Sequence, residues 1–260
     1  MLNAATGCTR VSAGCDHCYA EPLARRLQAM GQPKYTRGFA YTEHPDELRK
    51  VATWRSERIF VNSMSDFFHE RASDAFLTLA LDTFCATGRH TYLILTKRPG
   101  KMRSVVARYC HERGLAALPP HLWLGVSVED QAAAALRIPP LQATLCRLRF
   151  LSCEPLLGPL DLRPYLVDAA GRPAIDWVIA GGESGPEART MDLAWARDLR
   201  DQCQRAGALF FYKQTGGRTH AAGGRLLDGR TWDEIPPEPW RRQQPLPGLA
   251  ALAAGKAGDD

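Results

Sequence analysis

TYLILTKRPGKMRSVVARYCHERG, residues 91–114, carries two patterns in succession. Its first six residues are almost wholly apolar or β-branched, as in a strand buried on both faces. The stretch from Gly100 to Gly114 then reads as a helix and stops on a glycine, a common helix terminus. A strand followed at once by a helix is one β/α unit. Further strands of the same kind read at RIFVN (58–62), LWLGVSV (122–128), LRFLSC (148–153), DWVIAGG (176–182) and LFFYKQ (209–214). Helix-like stretches separate most of them. SDAFLTLALDTFCAT opens on a Ser73-Asp74 cap, and LAWARDLRDQCQRAG ends on Gly207. Parallel β/α units in this number predict an α/β fold, a partial (β/α)6-type TIM-like barrel. A doubly wound sheet would want a GxGxxG after its first strand, and none is there.

The texture changes after Gln214, where Gly, Pro and Ala dominate. The barrel is therefore expected over residues 1–216 and a small C-terminal extension over 217–260. Trp232 and Ile235 read as anchors of an ordered part reaching about Pro237, and the remainder as a flexible tail.

The 260 residues are 45% hydrophobic and 23% charged, which suits a folded domain with a sizeable core and excludes a disordered chain. A net charge of +5 permits a polyanionic partner without requiring one. Arg25, Arg26, Lys34, Arg37, Arg49 and Lys50 cluster early and are candidates for nucleic-acid phosphates, or equally a solvated face. No apolar run reaches the roughly 20 residues that span a bilayer, and no signal peptide is legible. A cytoplasmic location follows as the expectation, and there thiols stay reduced. Of the eight cysteines, Cys85, Cys110, Cys146 and Cys203 read as small buried hydrophobes, whereas Cys153, at a strand end, could face a cavity.

Each strand end delivers polar groups. They are Ser63, Ser65 and Asp66; Lys97 and Arg98; Ser127, Glu129 and Asp130; Glu154; Glu183 and Ser184; Lys213 and Gln214. In β/α barrels that end carries the chemistry. Gly181 and Gly182, in GGESG (181–185), would let backbone approach a ligand, or simply make a tight turn. Asp66, Glu129, Glu154 and Glu183 could also serve as the acids and bases of a hydrolase.

Three cysteines crowd the start: GCTRVSAGCDHCYAE (7–21) places them as Cys8-x6-Cys15-x2-Cys18. A C-x2-C pair sets two thiolates on one metal centre. A structural zinc needs four ligands. His17 lies inside the C-x2-C turn, and the next cysteine, Cys85, sits in a helix-like stretch. A three-thiolate [4Fe–4S] cluster, with one iron left open for a small molecule, satisfies the count; a zinc-stabilised nucleic-acid-binding or processing protein is the alternative.

The cysteine loop, Tyr19 after it and the β/α units together resemble the radical S-adenosylmethionine (SAM) enzymes. More closely, GCTRVSAGCDHCYAE, LTKRP, SVEDQ, LSCEPLLGP, VIAGGESGPEAR and LRDQC…FFYKQ resemble a three-cysteine family of unknown function found in phages and bacterial genomes, its nearest radical SAM relatives being the spore photoproduct lyase group. The resemblance implies a radical SAM kind of barrel and a [4Fe–4S] cluster on Cys8, Cys15 and Cys18. It also implies SAM on the open iron and an electron donor of flavodoxin or ferredoxin type. Tyr19 would pack by the adenine. Ser63, Ser65 and Asp66 would occupy the loop that takes the SAM amino group, and Lys97 would meet its carboxylate. Ser127 and Glu183, with Gly181 and Gly182, would join the cofactor site, and Glu129, Glu154 and Lys213 the reacting region. A nucleic-acid substrate follows by analogy with the lyase group. Two features depart from the superfamily pattern: the first cysteine gap is six rather than three, and GGE follows the fifth recognised strand. Only seven residues precede Cys8, fewer than the family resemblance implies, so the expectation is that the first barrel strand is missing from this chain or that its starting methionine is misassigned.

Overall fold

Every apolar run picked out above is a strand in the computed structural model, which describes residues 1–219 and 222–239. A short ribbon comes first, β1 (Ala5–Thr6) antiparallel to β2 (Thr42–Glu43). The main sheet follows as β3 (Arg58–Val61), β4 (Thr91–Thr96), β5 (Leu122–Ser127), β6 (Leu148–Cys153), β7 (Trp177–Gly181) and β8 (Leu209–Gln214). These six strands are parallel and neighbour one another in chain order, with β3 and β8 at the edges. A doubly wound sheet reverses its order at a switch point. Here the winding runs one way, and the sheet curls as a half-barrel, a partial TIM-like arrangement.

Helix α1 (Ala20–Ala29) follows the cysteines; α2 (Asp74–Ala86), α3 (Pro99–Glu112), α4 (Gln131–Gln142), α5 (Arg163–Leu166) and α6 (Leu193–Ala206) lie between or after strands. Local chemistry sets their limits. The Ser73 hydroxyl accepts from the Phe76 amide at 3.2 Å, and Asp130 accepts from Ala133 at 2.7 Å. Gly207, at φ 72°, closes α6 in the left-handed conformation that glycine adopts freely.

The strands alternate strictly, although both faces are apolar. Ile59, Tyr92, Ile94, Leu124, Val126, Leu151, Val178 and Phe210 pack against the helices in the main core. The opposite phase, Phe60, Leu93, Leu95, Trp123, Phe150, Trp177, Ile179 and Phe211, forms a second apolar cluster on the inner face. Cys110, Cys146 and Cys203 are buried, as expected, and Cys85 packs at the core margin. Cys153 does not face a cavity: it lies fully buried on the helix side, where desolvation drives its thiol pKa far up.

Residues 2–7 run parallel beside β3, with bridges Leu2–Val61 and Gly7–Ser65. The Leu2 amide donates to Phe60 O at 3.0 Å, and Gly7 to Met64 O at 2.9 Å. At the other end, residues 232–235 pack onto the half-barrel. Trp232 is 7% exposed, Trp177 Nε1 donates to Glu234 O at 2.9 Å, and Ile235 joins the inner-face cluster. The tail beyond residue 239 lies outside the described residues. No helix among the described residues is long and apolar enough to cross a membrane.

Candidate cofactor site at the strand ends

The alternation that builds the inner apolar cluster continues past it. Asn62 follows Phe60 in phase; Lys97 follows Leu95; Ser127 and Glu129 follow Gly125; Glu154 follows Phe150 and Ser152; Gly181 follows Ile179; Lys213 follows Phe211. Since side chains on a strand face repeat every second residue, these groups share the inner face at the C-terminal end of the sheet. The cysteine loop lies across that end.

Cys8, Cys15 and Cys18 line one cavity of about 160 Å³, together with Asn62, Ser63, Ser65, Asp66, Lys97, Arg98 and Ser127. All three thiols are free and part-exposed. No group of three or more His, Cys, Asp or Glu side chains among the described residues is gathered closely enough to hold a metal ion. A neighbouring cavity of about 150 Å³ is lined by Tyr19, Glu154, Gly182, Glu183 and Lys213, and Cys18 and Lys97 border both. A wider opening of about 520 Å³ lies outside, with Cys18, Tyr19, Arg10, Arg25 and Arg218 on its wall. Of the residues anticipated for the cluster, the cofactor and the reacting region, Glu129 and Gly181 line none of these spaces.

Three carboxylates prove to be braces. Glu129 and Arg137 are 1% and 3% exposed and form a two-pronged ion pair at 2.7 and 3.1 Å. Burial alone would raise the Glu129 pKa, but the Arg137 guanidinium holds it below its ordinary value. Gly14 of the cysteine loop rests on this carboxyl: a Cβ there would sit 3.1 Å from Glu129 Cδ. Glu183 takes two bonds from the Arg189 guanidinium, at 2.9 and 2.6 Å, and lies 3.1 Å from His17 Nδ1; Arg189 also donates to Ala13 O at 2.9 Å. Asp66 accepts from Thr96 Oγ1, the Lys97 amide, the Phe68 amide and Arg98 Nη1, all within 3.0 Å. Arg98 in turn reaches Thr9 O at 3.0 Å and Cys8 Sγ at 3.7 Å. Each pair therefore clamps a different part of the loop to a strand end.

The other groups divide by commitment. Tyr19 Oη donates to Ser63 O at 2.7 Å, and burial, then the charges of Cys18 and Glu154, push its pKa to about 12. The hydroxyl is thus a neutral latch between the loop and the segment just after β3. Ser63 donates to Asn3 Oδ1, and Ser65 to Ala5 O at 3.0 Å, so both fasten the N-terminal segment. Lys213 pairs with Glu154 at 2.8 Å inside the second cavity. Lys97 Nζ has no hydrogen-bond or ion-pair partner among the described residues. Burial raises the Cys8 thiol pKa and Asp66 adds to this, while Arg98 opposes both. Four of the six early basic residues are paired: Arg25 with Glu21, Lys34 and Lys50 with Glu47, Arg49 with Asp46.

Gly182 has a steric reason to be glycine. A Cβ there would lie 1.9 Å from Thr215 O, in backbone that cannot retreat cheaply. Gly182→Ala is expected to cost about 1–3 kcal/mol of stability, measured by denaturant titration; an unchanged midpoint would contradict this close approach. Glu183 provides a second check. Its pKa falls from 4.5 to about 2, because hydrogen bonds from Arg189 and His17 outweigh the opposing effect of burial. A depressed carboxyl stabilises the fold above its unfolded pKa and loses that contribution as pH falls through the folded one. Stability should therefore drop between pH about 4.5 and about 2. Glu183→Gln should flatten that limb, and an identical acid limb in the two proteins would refute the assignment.

The structure adds residues that local sequence did not single out: Asn62, Arg137 and Arg189. The cue for the two arginines was a cation six to eight positions beyond a strand-end glutamate, close enough to fold back in the following loop or helix turn.

A model of the family of proteins of unknown function DUF5131 matches residues 1–236. The chain belongs to that family. The match spans both the half-barrel and the packed part of the extension. No curated protein matches the chain. Among solved structures, a spore photoproduct lyase complexed with dinucleoside spore photoproduct is similar over 80% of this chain and 75% of that one, at 13% identity and a TM-score of 0.44.

Proposed function

We propose that this member of the DUF5131 family is a radical SAM enzyme whose [4Fe–4S] cluster is held by Cys8, Cys15 and Cys18. The observation that carries the reading is the convergence of three free thiols on one cavity bordered by an uncommitted lysine. The donor set fits the cluster in kind and number, and the three thiols, spread along the cavity wall rather than gathered on one point, would have to close around it on loading. Three thiols line the cavity without a fourth cysteine or a histidine among the described residues, which leaves one iron for another ligand. Held by Cys8, Cys15 and Cys18, the cluster would supply the electron for reductive cleavage of SAM and so the radical chemistry by which this class takes hydrogen from substrate. A flavodoxin- or ferredoxin-type donor would supply the electron.

The chain's own residues would position the reactants. Lys97 borders both cavities and can take the SAM carboxylate as a charge-assisted pair. Tyr19 walls the second cavity, where the Glu154–Lys213 pair faces the space that substrate would occupy. Substrate would enter through the wider opening. Arg218 there has no ion-pair partner among the described residues, and a phosphate-bearing substrate such as nucleic acid suits it. A hydrolase fits less well, because Asp66, Glu129 and Glu183 are each held by an arginine. A lone zinc needs four donors around one ion; beside the three thiols the cavity offers the Asp66 carboxylate, which is already committed to Arg98, Thr96 and two backbone amides.

Lys97→Met in the cluster-loaded protein tests the assignment. Loss of one charged contact, about 1.5–3 kcal/mol, should weaken SAM binding about 10–100-fold, read by anaerobic calorimetry, and slow 5′-deoxyadenosine release. Unchanged SAM affinity would remove Lys97 from the site.

A further inference from the structure

Asn62 directly follows β3 with a left-handed backbone, φ 59°. Its Oδ1 accepts from the Ala4 amide at 3.0 Å and the Ala5 amide at 3.2 Å. Two backbone donors on one atom identify that atom as the oxygen and leave Nδ2 at the other end. The residue is 4% exposed, lines the cysteine cavity, and its Nδ2 is buried without a hydrogen-bond partner. Buried amide donors are almost always satisfied, and an orphan destabilises the fold that keeps it. Fastening the N-terminal segment requires only the oxygen. Aspartate would accept from Ala4 and Ala5 equally well and also tolerates positive φ. What aspartate lacks is the donor.

From this orphan donor we infer that Asn62 Nδ2 is a positioning and tuning group: it donates a hydrogen bond to a sulfur of the cluster held by Cys8, Cys15 and Cys18. This rests on the reading of the site given above. The acceptor is a thiolate or inorganic sulfide, both of which carry negative charge that grows on reduction. A donor aimed at such a sulfur favours the reduced state and raises the reduction potential. Arg98 already supplies one donor to Cys8, but that guanidinium is shared with Asp66 and Thr9. The Asn62 amide has no competing acceptor among the described residues.

The test uses the full chain reconstituted anaerobically with iron and sulfide. Protein labelled with ¹⁵N-asparagine is reduced and measured by pulsed EPR. A weak ¹⁵N coupling to the cluster is expected in the wild type and absent in Asn62→Asp, whose redox titration should show a more negative potential at unchanged iron content. A purely structural Asn62 would give no ¹⁵N coupling, whatever the potential of Asn62→Asp, because the new carboxylate lowers the potential by its charge alone. No ¹⁵N coupling in a cluster-loaded wild type, or a coupling that survives Asn62→Asp, overturns the inference and leaves the cluster reading standing. A wild type that takes up no iron overturns both.

Discussion

Cys15→Ala should leave a folded protein without its iron. Anaerobic reconstitution of the wild type should give a brown solution that absorbs broadly near 400 nm and holds about four irons per chain. Cys15 lies in the loop clamped by Arg189 and Glu183 and by Gly14 resting on Glu129, so its thiol is presented by structure that does not depend on that thiol. The variant should therefore unfold near the wild-type denaturant midpoint while losing the chromophore and all SAM cleavage. Cys85→Ala is the matched control, because Cys85 packs at the core margin, outside the cysteine cavity, and its loss should spare the iron. Equal metal content in Cys15→Ala and wild type would contradict the ligand assignment.

Glu129→Ala should produce the largest stability loss among single replacements at the strand ends. The carboxylate and Arg137 are both almost wholly buried, and the guanidinium also donates to Ser127 O at 2.8 Å. Removing one partner strands the other charge away from water, which typically costs about 3–5 kcal/mol. The floor under Gly14 goes with it, so cluster loading should fall too. Equilibrium denaturation of the iron-free chain isolates the first effect from the second. A loss below about 1 kcal/mol would mean that the pair is solvated in solution and does not brace the loop.

The two predictions separate what is legible in this sequence from what is not. The six strands can be read because both of their faces are buried: TYLILT and LWLGVS are apolar but for Thr91, Thr96 and Ser127, as suits strands of a parallel sheet covered on two sides. The period of two then explains why Lys97, Ser127, Glu154 and Lys213 converge, since each is in phase with the inner apolar residues of its strand. The roles were harder to read than the positions. Glu129 and Glu183 look like free carboxylates until Arg137 and Arg189 fold back onto them, and that pairing depends on loop geometry rather than on local pattern. GGESG suggests ligand contact, yet Gly182 is dictated by the backbone at Thr215, thirty-three positions away. The N-terminal segment joins the sheet through backbone bonds that carry no residue signature. Cys153 shows the same limit at a strand end, where a shift of one position decides between the cavity and the helix layer.

Mössbauer spectroscopy of ⁵⁷Fe-reconstituted protein, with and without SAM, tests the central claim most directly. The account predicts about four irons per chain, one of which changes its isomer shift when SAM is added while the other three, held by cysteine, stay as they were. A chain that takes up one zinc and no iron, or a cluster whose irons all ignore SAM, would contradict it.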